Sequence, residues 1–443
     1  MNSKLSLTHS TALTNEPNHW CCALSDRYRF TLSADLVDWF AREIWLRDQG
    51  GEFDQPVSPS ELLCETPDFI WPGFMLPDSL PLVGNRYGDW LCLRVGADNS
   101  VAEVIHWYHG GGDWMPWGAT LAEAVAFDSL RSRLPGRRQY YANIAADFAQ
   151  QSGPATIPGW AADHLPAAIG KLLLDELGDT DEIPGLGELM IQHDVASTAV
   201  HGESALAALD SLLRQKLEPW AARELGIQWD QDAIRWLFDN DLIQPSVLQR
   251  LADHFGCDSK DLRGQDWDVA IAHATAVVAK RDDLGWASDI LGWAAERAGR
   301  PDAAIAAYRN ALRCSSFADQ SVRFRTHWFR ESEGKFAAAR LQELGADLQH
   351  DSYLRLFRES KDQGLRSRVT NYWMRIAEQA ASDERWAEAY DAYYRAGWDM
   401  GCDDLEVYEE LLSRLADAAE RSGMVSRAAL AKTHLACLAN RLR

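Results

Sequence analysis

Apolar positions alternate with polar or small ones in one short part of this chain and recur every three to four residues over most of the rest. Trp90-Leu91-Cys92-Leu93-Arg94-Val95 places Leu91, Leu93 and Val95 on one face of a strand. Gly96-Ala97-Asp98-Asn99-Ser100 supplies a turn, because Gly, Asp and Asn accept left-handed backbone angles. Val101 to Tyr108, rich in β-branched and aromatic residues, reads as the return strand, and Gly110-Gly111-Gly112 ends it. Thr120 then predicts a helix N-cap, with Glu123 three residues later completing a capping box. Leu121, Ala124, Val125 and Leu130 give that helix an apolar side.

These elements belong to an N-terminal unit expected over residues 24–150, after a tail of residues 1–23. A Pro/Gly-rich break, Gln151 to Gly159, marks its expected end. Beyond the break the periodicity predicts helices at Leu165–Leu177, Ala233–Phe238, Pro245–Phe255 and Val269–Lys280. A further helix over Ser204–Leu217 would carry Leu206, Leu209, Leu213 and Leu217 on one face. Residues 160–283 therefore read as a helical linker domain and residues 284–443 as a helical-repeat domain.

The repeat is clearest from Leu291 to Leu312. Leu291-Gly292 opens one helix, Gly299 makes the turn, and Ala304, Tyr308 and Ala311 share a face of the next. This segment resembles a tetratricopeptide repeat. Weaker copies place small anchors at Ala339, Ala389 and Ala428, with Tyr393 and Ala396 completing the third and Lys432 standing where the fourth would carry an aromatic. Their irregular spacing describes a degenerate array. Stacked helix pairs of this kind leave a concave groove that takes peptides or domains.

The N-terminal unit carries Leu80-Pro81-Leu82, Gly88-Asp89-Trp90-Leu91-Cys92-Leu93, Val104-Ile105-His106-Trp107 and Leu121-Ala122-Glu123-Ala124-Val125, with Thr31 to Phe40 as a leading helix. In these segments it resembles the SUKH superfamily, the Smi/Knr group. Two departures stand out. Asp48-Gln49-Gly50-Gly51 replaces the usual Asn-Gly-Gly, and the Ser-Phe of the last helix is missing. The resemblance implies a small curved sheet with flanking helices, and a protein-binding role without catalysis. Within that family the expected jobs are toxin immunity and regulation of a signalling or cell-wall pathway. The fold class expected is thus an α+β SUKH-like domain followed by an all-α helical-repeat domain.

A formal net charge of −22 argues against nucleic acid or an anionic membrane as partner and fits a basic protein, such as a basic toxin domain. The eight cysteines form no C-x-x-C pair, the first seventeen residues hold no apolar signal segment, and no apolar run approaches the ~18 residues of a membrane span. A cytoplasmic protein with reduced thiols is the expectation. Among the nineteen tryptophans, Trp71, Trp90, Trp107, Trp114 and Trp117 crowd together. Tyr87, Trp90, Trp107, Tyr108, His109, Trp114 and Trp117 are the candidate partner-contact residues, because Trp and Tyr bury large area at little entropic cost. Gly88 and Asp89 read as turn formers. Core packing beside a small sheet is the competing role for every one of these aromatics.

Motifs for chemistry are sparse. His109-Gly110-Gly111-Gly112 matches the oxyanion-hole sequence of lipase-like hydrolases, but no G-x-S-x-G nucleophile elbow accompanies it. A hydrolase using the His109 turn, and a purely structural scaffold, are the alternatives to a binding protein. His106 and His109 fall on opposite strand faces, and Gly202 weakens the helix that would place His193 and His201, with Asp194 and Glu203 nearby, on one side. No metal, cofactor or catalytic residue is expected.

Overall fold

The computed structural model describes residues 19–47, 51–135, 155–174, 182–209, 242–263, 266–319, 335–347, 350–358 and 364–442. Helices α1 (His19–Tyr28) and α2 (Ala34–Ala41) lead to strand β1 (Gln55–Pro56) and the one-turn helix α3 (Pro59–Leu62). Strands β2 (Ser79–Gly84), β3 (Trp90–Val95), β4 (Val101–Trp107) and β5 (Trp114–Gly118) follow, then α4 (Leu121–Leu130). Helices α5 (Ile157–Asp163), α6 (Ala167–Leu174), α7 (Leu186–Gln192), α8 (Ser197–Leu209), α9 (Pro245–Phe255), α10 (Ser259–Arg263) and α11 (Trp267–Val278) come next. The C-terminal part contributes α12 (Gly285–Arg297), α13 (Pro301–Arg313), α14 (Phe336–Glu343), α15 (Ser352–Arg358), α16 (Leu365–Ser382), α17 (Trp386–Trp398), α18 (Leu405–Arg421) and α19 (Val425–Arg441). Among the described residues the strands form one antiparallel sheet in sequence order, so the chain combines an α+β unit with a helical region.

Strand register follows the expected hairpin. Leu91 faces His106 and Leu93 faces Val104, while Trp90 pairs with Trp107 and Trp107 with Trp114, giving a row of three tryptophans across three strands. Gly84 opposite Trp90 leaves room for the indole, since a Cβ there would lie 3.0 Å from the ring. Thr120 caps α4 by accepting the Glu123 amide at 3.2 Å. The Glu123 carboxylate does not return to the N-cap amide. It accepts from Ala119 and Ala196, each at 3.0 Å, and so ties α4 to the loop before α8.

Both faces of the sheet are covered. Leu91, Leu93, Val95, Val104, Met115 and Trp117 pack in one core with Leu36, Trp39 and Phe40 of α2 and the apolar side of α4. Cys92, Ile105, Trp107 and Trp114 pack in a second core with Ile290 of α12, Tyr390 and Trp398 of α17 and Leu411 of α18. Every position of β2 and β5 is buried as a result, because neither face meets water. The expectation of two modules in tandem changes accordingly: the helical region folds back and supplies the second face of the sheet. Within the Pro/Gly-rich break, Ile157 to Gly159 are the first turn of α5. Thr156 caps α5 through the Gly159 amide at 3.1 Å, and Trp160 stands edge-on to Trp39 with centroids 5.1 Å apart, inside the first core.

The seam between sheet and helices is polar where it reaches the strand ends. Buried Asp78 accepts from Arg94 at 3.3 Å and from the Tyr394 hydroxyl at 3.2 Å, with Arg427 of α19 at 3.9 Å. Arg94 also binds Glu103 at 2.9 Å, and Arg281 grips Glu103 and Asp283, each at 2.8 Å. His434 of α19 donates to the Ser79 carbonyl at 3.0 Å. Asn99, at φ +64 in the β3–β4 turn, donates to Gly423 and accepts the Ser426 amide at 3.0 Å, so a turn residue also caps α19. At the far edge, Trp114 exchanges backbone hydrogen bonds with Phe317 and Asp319 of the helical region.

The helical region is built from hairpins. Between α12 and α13, Gly299 takes φ +67, and Ala304, Tyr308 and Ala311 are buried; Gly292 lies so close to the Tyr308 ring that a Cβ would sit 2.5 Å away. Ala389, Tyr393 and Ala396 are buried in α17, and Ala428 in α19, while Lys432 is exposed and pairs with Glu420 at 2.5 Å. In α14 the buried small residues are Ala337 and Ala338, with Ala339 only half-buried, so the anchor there is displaced from the expected position. Pro245–Phe255 is helical as expected. The helix expected to start at Ser204 starts at Ser197, and Leu206 and Leu209 are buried. Residues 1–18, Leu213, Leu217 and the expected helix at Ala233–Phe238 lie outside the described residues. No described helix is long and apolar enough to cross a membrane.

Candidate functional site

The seven candidate contact residues divide by location. Trp107, Trp114 and Trp117 have 1 %, 3 % and 0 % of their surface exposed and belong to the cores. They are corrected from contact to core residues, for the reason already given: a sheet covered on both faces hides its strand side chains. Trp107 and Trp114 lie under the C-terminal helices. Trp117 packs edge-on against Phe127 and His106, with Arg131 over its ring at 4.8 Å. Trp90 and Tyr108 are half-buried and also pack against the first core. Tyr87 and His109, in the turns at the strand ends, remain exposed.

The turn chemistry explains how those two are held. Asn85 accepts the amides of Tyr87 and Asp89, each at 2.9 Å, and Gly88 takes φ +89. This directs the Asp89 carboxylate inward. It accepts the His109 amide at 3.0 Å and meets His109 Nδ1 at 2.8 Å, and its other oxygen faces His106 Nε2 at 3.7 Å. Asp89 is therefore more than a turn former: it fixes the orientation of an exposed imidazole. Burial alone would raise its carboxyl, but the histidines and the His109 amide outweigh burial and hold it well below the usual range. His106 sits in an aromatic box of Phe53, Tyr108 and Trp117, and burial pushes its pKa down. Nearby Asp128 accepts the amides of Glu52 and Phe53 at 2.9 and 3.3 Å; burial, then the Glu52 charge, pushes its carboxyl up.

Two exposed aromatics lie beside this turn. Trp71 and Phe74 are 47 % and 49 % exposed, comparable with Tyr87 at 45 %. Their loop adjoins the glycine turn, because the Phe74 carbonyl would lie 2.8 Å from a Cβ on Gly112. Gly88 in turn abuts the His109 ring. Three loops, around residues 69–76, 85–89 and 108–113, thus meet at one end of the sheet and present Trp71, Phe74, Tyr87 and His109 outward. The loops are well braced: Trp107 Nε1 donates to the Phe74 carbonyl at 3.1 Å, Trp398 Nε1 to the Met75 carbonyl at 2.9 Å, and Arg441 lies over the Trp71 ring at 4.4 Å. Phe74 was not singled out in the sequence; its flanking prolines and glycine, Trp71-Pro72-Gly73-Phe74, were the available signal that it sits in a loop.

For catalysis the arrangement offers one feature, the Asp89–His109 pair. The Gly112 amide, which an oxyanion hole would use, is spent on the Tyr108 carbonyl at 3.1 Å. His193 and His201 do not converge on one site. His193 is exposed, Glu203 is bound to Arg131 at 3.0 Å, and His201 meets His273 instead. Among the described residues no group of three or more His, Cys, Asp or Glu side chains is arranged to hold a metal ion. Compared with family models, with curated proteins and with solved structures, the chain finds no match in any of the three.

Proposed function

We propose that this is a non-catalytic protein-binding protein, SUKH-like in its sheet-bearing unit, which acts as a toxin-immunity protein or as a regulatory scaffold. One observation carries the reading. Trp71, Phe74 and Tyr87 are large, about half exposed, and mounted on two loops, both against the 108–113 turn, that a doubly covered sheet holds in place. Exposed aromatics on a rigid support lose little entropy when a partner covers them, which is the character of interface anchors. The net charge of −22 favours a basic partner by speeding encounter. Inhibition or regulation then needs only differential contact, and no bond is made or broken.

The test is affinity capture with the intact chain and with the variant Trp71→Ala/Phe74→Ala/Tyr87→Ala. A partner retained by the first and lost by the second, at an unchanged unfolding midpoint, supports the reading. Equal capture by both overturns it. A second reading, hydrolysis at the His109 turn, is favoured by the Asp89–His109 geometry, in which a carboxylate orients an exposed imidazole as a general base would require. It expects turnover of a chromogenic ester by the wild type and none by His109→Ala; equal rates in both exclude it.

A further inference from the structure

The loop that carries Trp71 belongs to a stretch with one sign of charge. Between Arg47 and Arg86 the sequence holds Asp and Glu, among them Glu61, Glu65 and Asp68, and no Lys, Arg or His. The guanidinium groups that meet this stretch come from outside it. Arg27 of α1 donates to the Cys64 and Glu65 carbonyls at 2.6 and 3.2 Å, and Arg86 reaches Asp54 at 3.4 Å. Arg441, in the last turn of α19, donates to the Asp68 carbonyl at 2.8 Å, and its guanidinium carbon lies 4.4 Å from the centroid of the Trp71 ring.

The Arg441 contact is built from weak parts. Arg441 is exposed and Trp71 keeps 47 % of its surface, so both meet water. Asp68 offers Arg441 its carbonyl rather than its carboxylate. A cation over a ring at the surface shifts an equilibrium by only about two- to fivefold. A second guanidinium arriving from outside would find the same ring face and the same carbonyl, with the exposed Glu65 and Asp68 on the same stretch. Arginine suits this place better than lysine, because a planar guanidinium stacks on an indole while still donating in its own plane. The loop keeps its other braces when Arg441 leaves, since Trp107 and Trp398 hold the Phe74 and Met75 carbonyls.

We propose that the Trp71 ring and the Asp68 carbonyl form a seat for an arginine side chain of a basic partner, and that Arg441 is its internal occupant, displaced when the partner docks. The inference rests on the reading of Trp71 as a contact residue and names the side chain that this residue takes. In the free chain Arg441 shields one face of an exposed indole; in the complex it yields that face. The end of α19 thereby competes with the partner and sets how strongly a basic segment must bind.

The experiment uses the full chain labelled with 5-fluorotryptophan, with the Trp71 fluorine resonance assigned by its loss in Trp71→Phe. Hexa-arginine and hexalysine peptides are titrated at fixed salt, and affinity is read at that one resonance. Arg441→Gln should bind hexa-arginine about two- to fivefold more tightly than the wild type does. Lys432→Gln, which removes one exposed positive charge elsewhere on α19, should bind as the wild type does. Hexalysine should bind Arg441→Gln more weakly than hexa-arginine does. A Trp71 resonance that does not respond in Arg441→Gln, equal affinity in wild type and Arg441→Gln, the same gain in Lys432→Gln, or equal binding of the two peptides overturns the inference. Any of these results, with affinity capture still dependent on Trp71, Phe74 and Tyr87, removes the arginine seat alone; loss of that dependence removes the contact surface beneath it.

Discussion

The aromatic side chains of the strands and those of the loops at the strand ends have opposite fates. Trp107, Trp114 and Trp117 are buried almost completely, whereas Trp71, Phe74 and Tyr87 each keep nearly half their surface. The same residue types serve both places, so type does not decide the role; the number of layers over the sheet does. With one layer of helices, every second strand residue would face water. With two layers β2 and β5 are buried throughout, and the largely exposed aromatic side chains of this unit lie in the loops between strands.

Several changes would sharpen or break that division. Trp117→Ala, deep in the first core, should cost about 3–5 kcal/mol in urea unfolding; a cost under about 1 kcal/mol would mean that the ring is not packed as described. Asp78→Ala should cost on the same scale or slightly less, because it leaves Arg94 and Arg427 beside an empty place in the seam, and breaking a buried pair costs about 3–5 kcal/mol. Loss of stability with the sheet unit still cooperative with the helices would separate seam from core.

His434→Gln tests the same seam through pH. Burial pushes the His434 pKa from 6.5 to about 4. The folded chain thus binds fewer protons than the unfolded one below pH 6.5; the stability contribution is complete above that pH and is lost as pH falls towards 4. The shift corresponds to about 3 kcal/mol at most, and Gln keeps a donor for the Ser79 carbonyl. The variant should therefore lose less stability between pH 7 and pH 4.5 than the wild type; parallel pH curves would contradict it. Smallest of all, Trp71→Ala, Phe74→Ala and Tyr87→Ala should each change stability by about 0.5 kcal/mol or less, measured by thermal unfolding.

The hairpin was legible in the sequence because it is governed by local rules. Alternation set Leu91, Leu93 and Val95 on one face, Asn99 marked the turn, and Thr120 marked the start of α4. The α12–α13 hairpin was legible for the same reason, through Gly299 and the face of Ala304, Tyr308 and Ala311. What escaped depends on contacts distant in sequence. Cys92, Ile105 and Trp107 look from the sequence like the outer side of a sheet, and nothing local says that α17 and α18 will cover them. Asp89 reads as a turn residue until the β4–β5 turn brings His109 against it, twenty positions away. His201 and His273 meet only because α8 and α11 pack.

The pairing of Trp114 with residues 317–319 has a consequence for recognition. One border of the sheet is occupied at Trp114 by the chain itself, and the other ends in a two-residue strand containing Pro56, which has no amide hydrogen to donate. A visiting polypeptide that added a strand at the first border would have to displace the backbone pairing of Trp114 with Phe317 and Asp319. The same pairing, together with Pro56 at the opposite border, works against self-association through strand backbone at those two points.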